Sequence, residues 1–190
     1  MQAARGATIS ARGVIGHRAA RRLIVLIALA GLALDQVTKA MAVAWLDPMN
    51  PPKILGGLIT FQLIRNPGAA FSMGENATVL FAVLAIVALV VVSVWLAPKV
   101  TARTWAIATG LLLAGVAGNL TDRLFRPPGV MRGHVVDFIQ LPYFAIVNVA
   151  DICLTSAAVT MVIVSLISER PKSDVSAAPE APEESGPSQA

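Results

Sequence analysis

Three aspartates and two asparagines lie beside or inside long apolar runs, where polar side chains are unusual. Asn119-Leu120-Thr121-Asp122 and Asn148-Val149-Ala150-Asp151 share one spacing, with an amide and a carboxylate three residues apart. On a helix such residues sit on one face. Between them lies Asp137, in Val135-Val136-Asp137-Phe138-Ile139. Ionisable groups near hydrocarbon are expensive and are functional candidates by default. Two aspartates held close cannot both ionise cheaply, so they share one proton. The charged one accepts a proton from water. The protonated one donates to a carbonyl oxygen or a leaving nitrogen. Together they hydrolyse a peptide bond without a covalent intermediate. Apolar neighbours favour a protonated Asp137, and a helix N-terminus suits a charged Asp151. Asp122, beside Arg123, reads as an ionic brace. Burial and dipole thus favour Asp137 with Asp151, and Asp122 stays open as the other partner of Asp151. The structural explanation is helix capping and interhelical hydrogen bonding, which Asn and Asp also perform. It would have to account for every such site falling on one side of a membrane.

Other chemistries fit less well. Cys153 is the only thiol, two residues past Asp151, and reads as core. His17 and His134 are the only histidines, and no serine sits in a nucleophile elbow. One histidine with scattered carboxylates is a weak metal signal. The site is therefore expected to hold no metal.

The elements that position these residues are membrane helices. The chain has 190 residues, 56% apolar and only 14% charged, with a mean hydropathy of +0.71. That excludes an ordinary soluble domain. A single cysteine excludes an internal disulfide framework. Residues 1–21 are basic and lack an apolar period, so a disordered arm is expected. The arm abuts an apolar segment, which points to topology control rather than nucleic acid. Spans are expected at about 23–45, 77–97, 103–122 and 146–168, each near the length of about 20 residues that crosses a bilayer. The first imitates a secretory signal peptide but is taken as uncleaved. It carries Asp35, Gln36 and Lys39, and Asp35 and Lys39 are spaced to pair. Gly110, Gly115 and Gly118 allow close packing of the third span. Between spans one and two, Leu58 to Ile64 suits a strand or hairpin. Asn66-Pro67-Gly68 suits a turn, and the Ala69-Ala70-Phe71-Ser72 stretch after it a packed re-entrant loop. Residues 169–190 are expected to be a disordered tail.

Basic residues cluster before span one, between spans two and three, and after span four. With four spans these regions share one side, which the positive-inside rule makes cytoplasmic. Asp35, Asn66, Asn119, Asp122, Asp137, Asn148 and Asp151 then all face the opposite side. An ion-coupled transporter is the competing function, but transporters usually place such groups near the midplane. A non-enzymatic membrane scaffold is a third.

Five pieces of this chain, in order, resemble lipoprotein signal peptidase (signal peptidase II), a bacterial aspartyl peptidase family. They are Asp35-Gln36-Val37-Thr38-Lys39, Arg65-Asn66-Pro67-Gly68-Ala69-Ala70-Phe71-Ser72, Gly118-Asn119-Leu120-Thr121-Asp122-Arg123, Gly133-His134-Val135-Val136-Asp137-Phe138 and Asn148-Val149-Ala150-Asp151. The resemblance implies a mainly α integral membrane fold, with four transmembrane helices and a small extracytoplasmic β-cradle. It implies a multi-pass protein of the bacterial inner membrane with both termini cytoplasmic. It implies cleavage of diacylglyceryl-modified prolipoproteins before the lipid-bearing cysteine. The catalytic aspartates fall on Asp137 and Asp151. Support or substrate binding falls on Asp35, Lys39, Asn66, Gly68, Asn119, Asp122, Arg123 and Asn148. Membrane lipid, a globomycin-type inhibitor and a monomeric state are implied as well, with no metal, no cofactor and no nucleic-acid partner. Two departures stand out. Pro67 occupies a position where many members carry threonine, and the linker Arg126 to Arg132 is longer than usual.

Overall fold

The computed structural model describes residues 13–68 and 75–168. Four helices dominate: α1 (His17–Trp45), α2 (Glu75–Val91), α3 (Arg103–Phe125) and α4 (Val149–Ser168). Each belongs to a segment long and apolar enough to cross a membrane. The second segment continues through a π turn (Val92–Leu96) and a 3-10 turn (Ala97–Lys99). Pro98 lies in that last turn, and its missing N–H ends the regular ladder there.

α3 is the axis of the bundle and its most buried helix. It packs along α1 and α4 and more lightly against α2. The crossings are close because α3 is rich in small residues. A Cβ on Gly115 would lie 2.5 Å from the carbonyl oxygen of Ala150 and 2.6 Å from Cγ of Leu154. Lipid supplies no hydrophobic drive between helices, so close van der Waals contact of this kind holds them. α2, almost purely Ala, Val, Leu and Ile, turns most of its surface outward, as suits lipid contact.

Six short strands sit at the end of the bundle where α1 and α3 finish and α4 begins. β1 (Lys53–Ile54), β2 (Ile59–Thr60), β5 (Ile139–Gln140) and β6 (Ile146–Val147) form an antiparallel sheet in the order β1-β2-β5-β6. β3 (Ile64–Asn66) and β4 (Val135–Asp137) form a separate antiparallel pair, with Arg65 opposite Val136. The expected strand over Leu58 to Ile64 is thus two strands in two sheets. Phe61 and Leu63, between them, pack against the cluster of Ala42, Val136 and Phe138. That apolar anchor breaks the strand and redirects it.

The expected disordered arm over 1–21 needs correction in its last part. α1 starts at His17, not Leu23, and Gly13 to Ile15 run against the link between the second segment and α3. The Ile15 N–H donates to the Thr101 carbonyl at 2.7 Å, and the Arg103 N–H to Gly13 at 2.8 Å. Arginine and alanine are strong helix formers, so the basic stretch extends the helix without an apolar period. Residues 1–12, 69–74 and 169–190, including the expected re-entrant loop and the tail, lie outside the described residues.

The long linker folds back onto α3. The Gly133 N–H donates to the Arg123 carbonyl and His134 N–H to Pro127, each at 3.0 Å. The first of these bonds occupies a carbonyl that the helix end leaves free. A Cβ on Gly133 would fall 2.1 Å from the Asp122 carbonyl oxygen, so only glycine permits the return. The chain then enters β4, whose last residue is Asp137.

Gly115→Leu is expected to force α3 and α4 apart and lower the unfolding midpoint in detergent, by about 1–3 kcal/mol as overpacking does. Gly129→Ala, at a position with open space around it, is expected to leave the midpoint unchanged.

Candidate active site

Lys39 is fully buried and lies between two fully buried carboxylates. Its Nζ is 2.9 Å from Asp35 Oδ2 and 2.8 Å from Asp122 Oδ2. A third contact, at 3.0 Å, goes to Asn119 Oδ1. An ammonium has three donors and no acceptor, so this lysine is saturated. The Asp35–Lys39 pair is the one their spacing suggests. Asp35 Oδ1 also accepts the Ala150 N–H at 2.8 Å, which ties α1 to the first turn of α4. Asp122 Oδ2 accepts the Val136 N–H at 3.2 Å and so holds β4 beside α3. Asp122 is thus a brace, but its second cation is Arg126 rather than Arg123. Arg126 is one turn further along the same helix face, whereas adjacent residues point apart.

Asp151 and Asn148 form a reciprocal cap at the start of α4. The Asp151 N–H donates to Asn148 Oδ1, and the Asn148 N–H to Asp151 Oδ2, both at 3.1 Å. This is a capping box with an amide at the N-cap and a carboxylate three residues on. Asn119 Nδ2 donates to Asp151 Oδ1 at 2.8 Å. Both oxygens of Asp151 therefore receive donors.

Asp137 ends β4 and faces the same place. Asn148 Nδ2 donates to its Oδ1 at 2.6 Å, and Asn66 Nδ2 to its Oδ2 at 2.9 Å. Asn66 reaches diagonally across the ladder, because its register partner is Val135 and that of Asp137 is Ile64. The Gly68 N–H donates to Asn66 Oδ1 at 2.8 Å, which aims the Asn66 amide at Asp137. Gly68 does so at φ +102°, a conformation natural to glycine. Asn148 thereby touches both carboxylates. Burial pushes the Asp137 carboxyl up to about 6, and the charge of Asp151 adds to that rise. The amides of Asn66 and Asn148, and Lys39, oppose it.

Arg123 lies within the electrostatic reach of Asp137, Asp122 and Asp151. Its Nη1 donates to the Asn119 carbonyl at 3.3 Å, and its guanidinium lies over the Phe81 ring, 5.7 Å from the centroid. Its buried Nε has no hydrogen-bond partner among the described residues. An unused buried donor beside two carboxylates is suited to a peptide carbonyl. Among the described residues no group of three or more His, Cys, Asp or Glu is placed to hold a metal. Cys153 is buried near Gly31 in the packing between α1 and α4.

All of the singled-out residues converge on one end of the bundle. Sequence reasoning missed Arg126 and Phe81 as site residues, and noted Gln36 without giving it a role. Gln36 Nε2 bonds Asp35 at 3.0 Å and the Gly118 carbonyl at 3.1 Å. Arg126 was detectable from its spacing to Asp122. Phe81 was not, since nothing sets it apart in the apolar run from Val79 to Val91.

The family model for signal peptidase (SPase) II matches residues 27–167. The lipoprotein signal peptidase of Streptomyces coelicolor is 47% identical over 150 residues, covering 78% of this chain and 73% of that protein. The Streptomyces griseus protein of the same name is 43% identical, covering 84% of this chain and 82% of that one. That of Mycobacterium avium is 41% identical, covering 76% and 79%. Two bacterial membrane enzyme structures obtained by the in meso method, at 1.9 and 2.3 Å resolution, superpose with TM-scores of 0.67 and 0.69. Both are 27% identical to this chain, cover 77% and 82% of it, and are themselves covered to 94%.

Removing Lys39 strands two buried carboxylates. Lys39→Met is expected to destabilise the protein by about 3–5 kcal/mol, the usual loss when one partner of a buried charge pair goes. Thermal unfolding in detergent measures this. A variant as stable as wild type would show the brace to be dispensable.

Proposed function

The chain belongs to the signal peptidase II family, and on that premise we propose that Asp137 and Asp151 are its catalytic pair. It is a multi-pass membrane aspartyl peptidase that processes prolipoproteins. The single observation that carries the assignment of the pair is Asn148, which donates to Asp137 while capping the helix turn that holds Asp151. One residue thus ties both carboxylates to the same spot, Asp137 through its side-chain amide and Asp151 through its backbone N–H.

Hydrolysis follows from the geometry. Asp151 takes a proton from water, whose oxygen attacks the scissile carbonyl carbon. Protonated Asp137 donates its proton to the carbonyl oxygen, giving a neutral diol. On collapse Asp151 gives its proton to the leaving nitrogen, Asp137 takes one back from a diol hydroxyl, and the C–N bond breaks. A pair of carboxylates, one charged and one neutral, suffices for both proton transfers. Burial keeps Asp137 protonated to a higher pH than an exposed aspartate. Arg123 Nε and the Asn66 amide hold the peptide backbone in line. Lys39, Asp35, Asp122 and Asn119 keep the pair in place, and Gly68 orients Asn66.

The substrate proposed is a diacylglyceryl-modified prolipoprotein, cut before its lipid-bearing cysteine. A lipid-anchored peptide presents its scissile bond near the membrane surface, at the height of this pair. Arg18, Arg21, Arg22, Lys99 and Arg103 lie at the opposite end of the bundle. The positive-inside rule makes that end cytoplasmic, with both termini, and puts the site on the outer face of the bacterial cell membrane. A globomycin-type peptide would compete for the same backbone contacts, and one chain holds every residue used, as a monomer requires.

Cleavage of such a substrate by purified protein, followed by gel shift, tests the pair. Asp137→Asn and Asp151→Asn are each expected to lower the rate by roughly 10²–10⁴-fold or more, the share of a positioned proton donor or acceptor. Asp122→Asn is expected to cost stability first, and a chelator to change nothing. Near-normal cleavage by either of the first two variants would overturn the assignment. The acid role of Asp137 also sets a pH dependence. As pH rises through about 6 its proton is lost, so kcat/KM is expected to fall along that limb. Asn66→Ala removes a bond that favours the charged form, so its falling limb is expected at higher pH.

A further inference from the structure

The four-stranded sheet carries an apolar edge that catalysis does not use. Its neighbours are all antiparallel, with Ile54 opposite Ile59, Thr60 opposite Gln140 and Gln140 opposite Ile146. The β1–β2 turn (55–58) and the β5–β6 turn (141–145) therefore leave by the same edge. The other edge leads from β6 straight into α4. The two turns read Leu55-Gly56-Gly57-Leu58 and Leu141-Pro142-Tyr143-Phe144-Ala145, without a single charge. Leu55 is 71% exposed, Phe144 65%, and Tyr143 wholly so.

These side chains are displayed against a backbone penalty. Leu55 has φ +52° and Tyr143 φ +60°, the left-handed region that disfavours residues with a Cβ. Glycine would relieve both turns. A large apolar side chain kept in a strained, solvent-facing turn points to a contact elsewhere.

Position indicates what that contact is. On α1, Leu34, Val37, Met41 and Trp45 form one exposed apolar stripe at helical spacing. In a membrane-crossing helix that stripe faces lipid. Met41 and Trp45, with Thr38, Ala42 and Leu46, also line an apolar cavity of about 220 Å³, closed by Phe61 and Phe138 from the strand region. The sheet thus overhangs the lipid-facing side of α1 rather than the bundle axis. Met49, in the loop between them, is 91% exposed and continues the apolar surface. Across the strands, Lys53, Thr60 and Gln140 form a polar row, and they line a polar groove with Gln62. An apolar edge beside a row with one cation and two neutral polar groups is the composition of an interfacial element, in which an ammonium pairs with lipid phosphate.

We infer that the turns 55–58 and 141–145 are seated in the lipid leaflet that borders the aspartate pair, at the boundary of acyl chains and headgroups. The sheet then floats on the same surface as the substrate's lipid anchor. It sets the height of β4, and with it Asp137, relative to the bilayer. This needs only that the four helices cross a membrane, not that Asp137 and Asp151 are catalytic.

The test places a reporter on the edge of the full-length protein. Trp45, Trp95 and Trp105 are replaced by Phe, and Tyr143→Trp or Leu58→Trp supplies the only indole. Each protein is reconstituted in phospholipid vesicles, with lipids brominated near the top of the acyl chain or near its middle. Both reporters are expected to show blue-shifted emission, quenched several-fold more by the shallow bromines than by the deep ones. A water-like emission that neither lipid quenches, at either position, overturns the inference. Cleavage by the same proteins is scored separately, so a failure of the catalytic assignment leaves this result readable.

Discussion

A buried ammonium shared between two buried carboxylates is the constraint on which the rest of this structure depends. Lys39 and Asp35 come from α1, Asp122 from α3. Asp35 also receives the first turn of α4, and Asp122 the backbone of β4. Charges taken out of water are tolerated only when every donor and acceptor is matched. That demand fixes three helices and a strand at one point. Apolar packing alone could not, because lipid rewards no particular pairing of apolar helices.

The aspartate pair is built onto this brace through shared residues. Asn119 accepts from Lys39 and donates to Asp151. Val136 is held by Asp122 and is the neighbour of Asp137. A displacement of the brace is therefore a displacement of the pair. The two Asn-x-x-Asp pieces, alike as sequence, have different fates for a physical reason. The first closes α3, where its carboxylate meets the cations Lys39 and Arg126. The second opens α4, where its carboxylate closes a reciprocal cap with Asn148 and Asn119 supplies a further amide.

Asparagine is suited to this work. Its amide donates to a carboxylate without adding charge, so it positions Asp137 while favouring the charged form less than a cation would. A lysine in place of Asn66 or Asn148 would favour the charged form of Asp137 far more strongly. The protein keeps its full charges at the brace, where they balance, and neutral amides around Asp137 and Asp151. α2 stands apart from both, contributing Phe81 beneath Arg123 and otherwise a lipid-facing surface.

Much of this was determined by the sequence itself. Four apolar segments, the basic residues beside three of their ends and the placement of polar residues follow from transfer energies, which are local properties of side chains. The Asp35–Lys39 pair and the Asn148–Asp151 cap are likewise legible, since helical spacing alone brings them together. The tertiary structure decided what no spacing carries. Asp137 stands on a strand whose partner, Asn66, is 71 residues away in the chain. Asp122 and Asp151 have similar local surroundings, and only the third dimension gives one to Lys39 and the other to the pair. The strand region is divided between two sheets because Phe61 and Leu63 find an apolar cluster. The start of α1 at His17 is set by pairing with the link before α3. Contacts between distant segments depend on the simultaneous position of every helix, and that is a property of the packed whole.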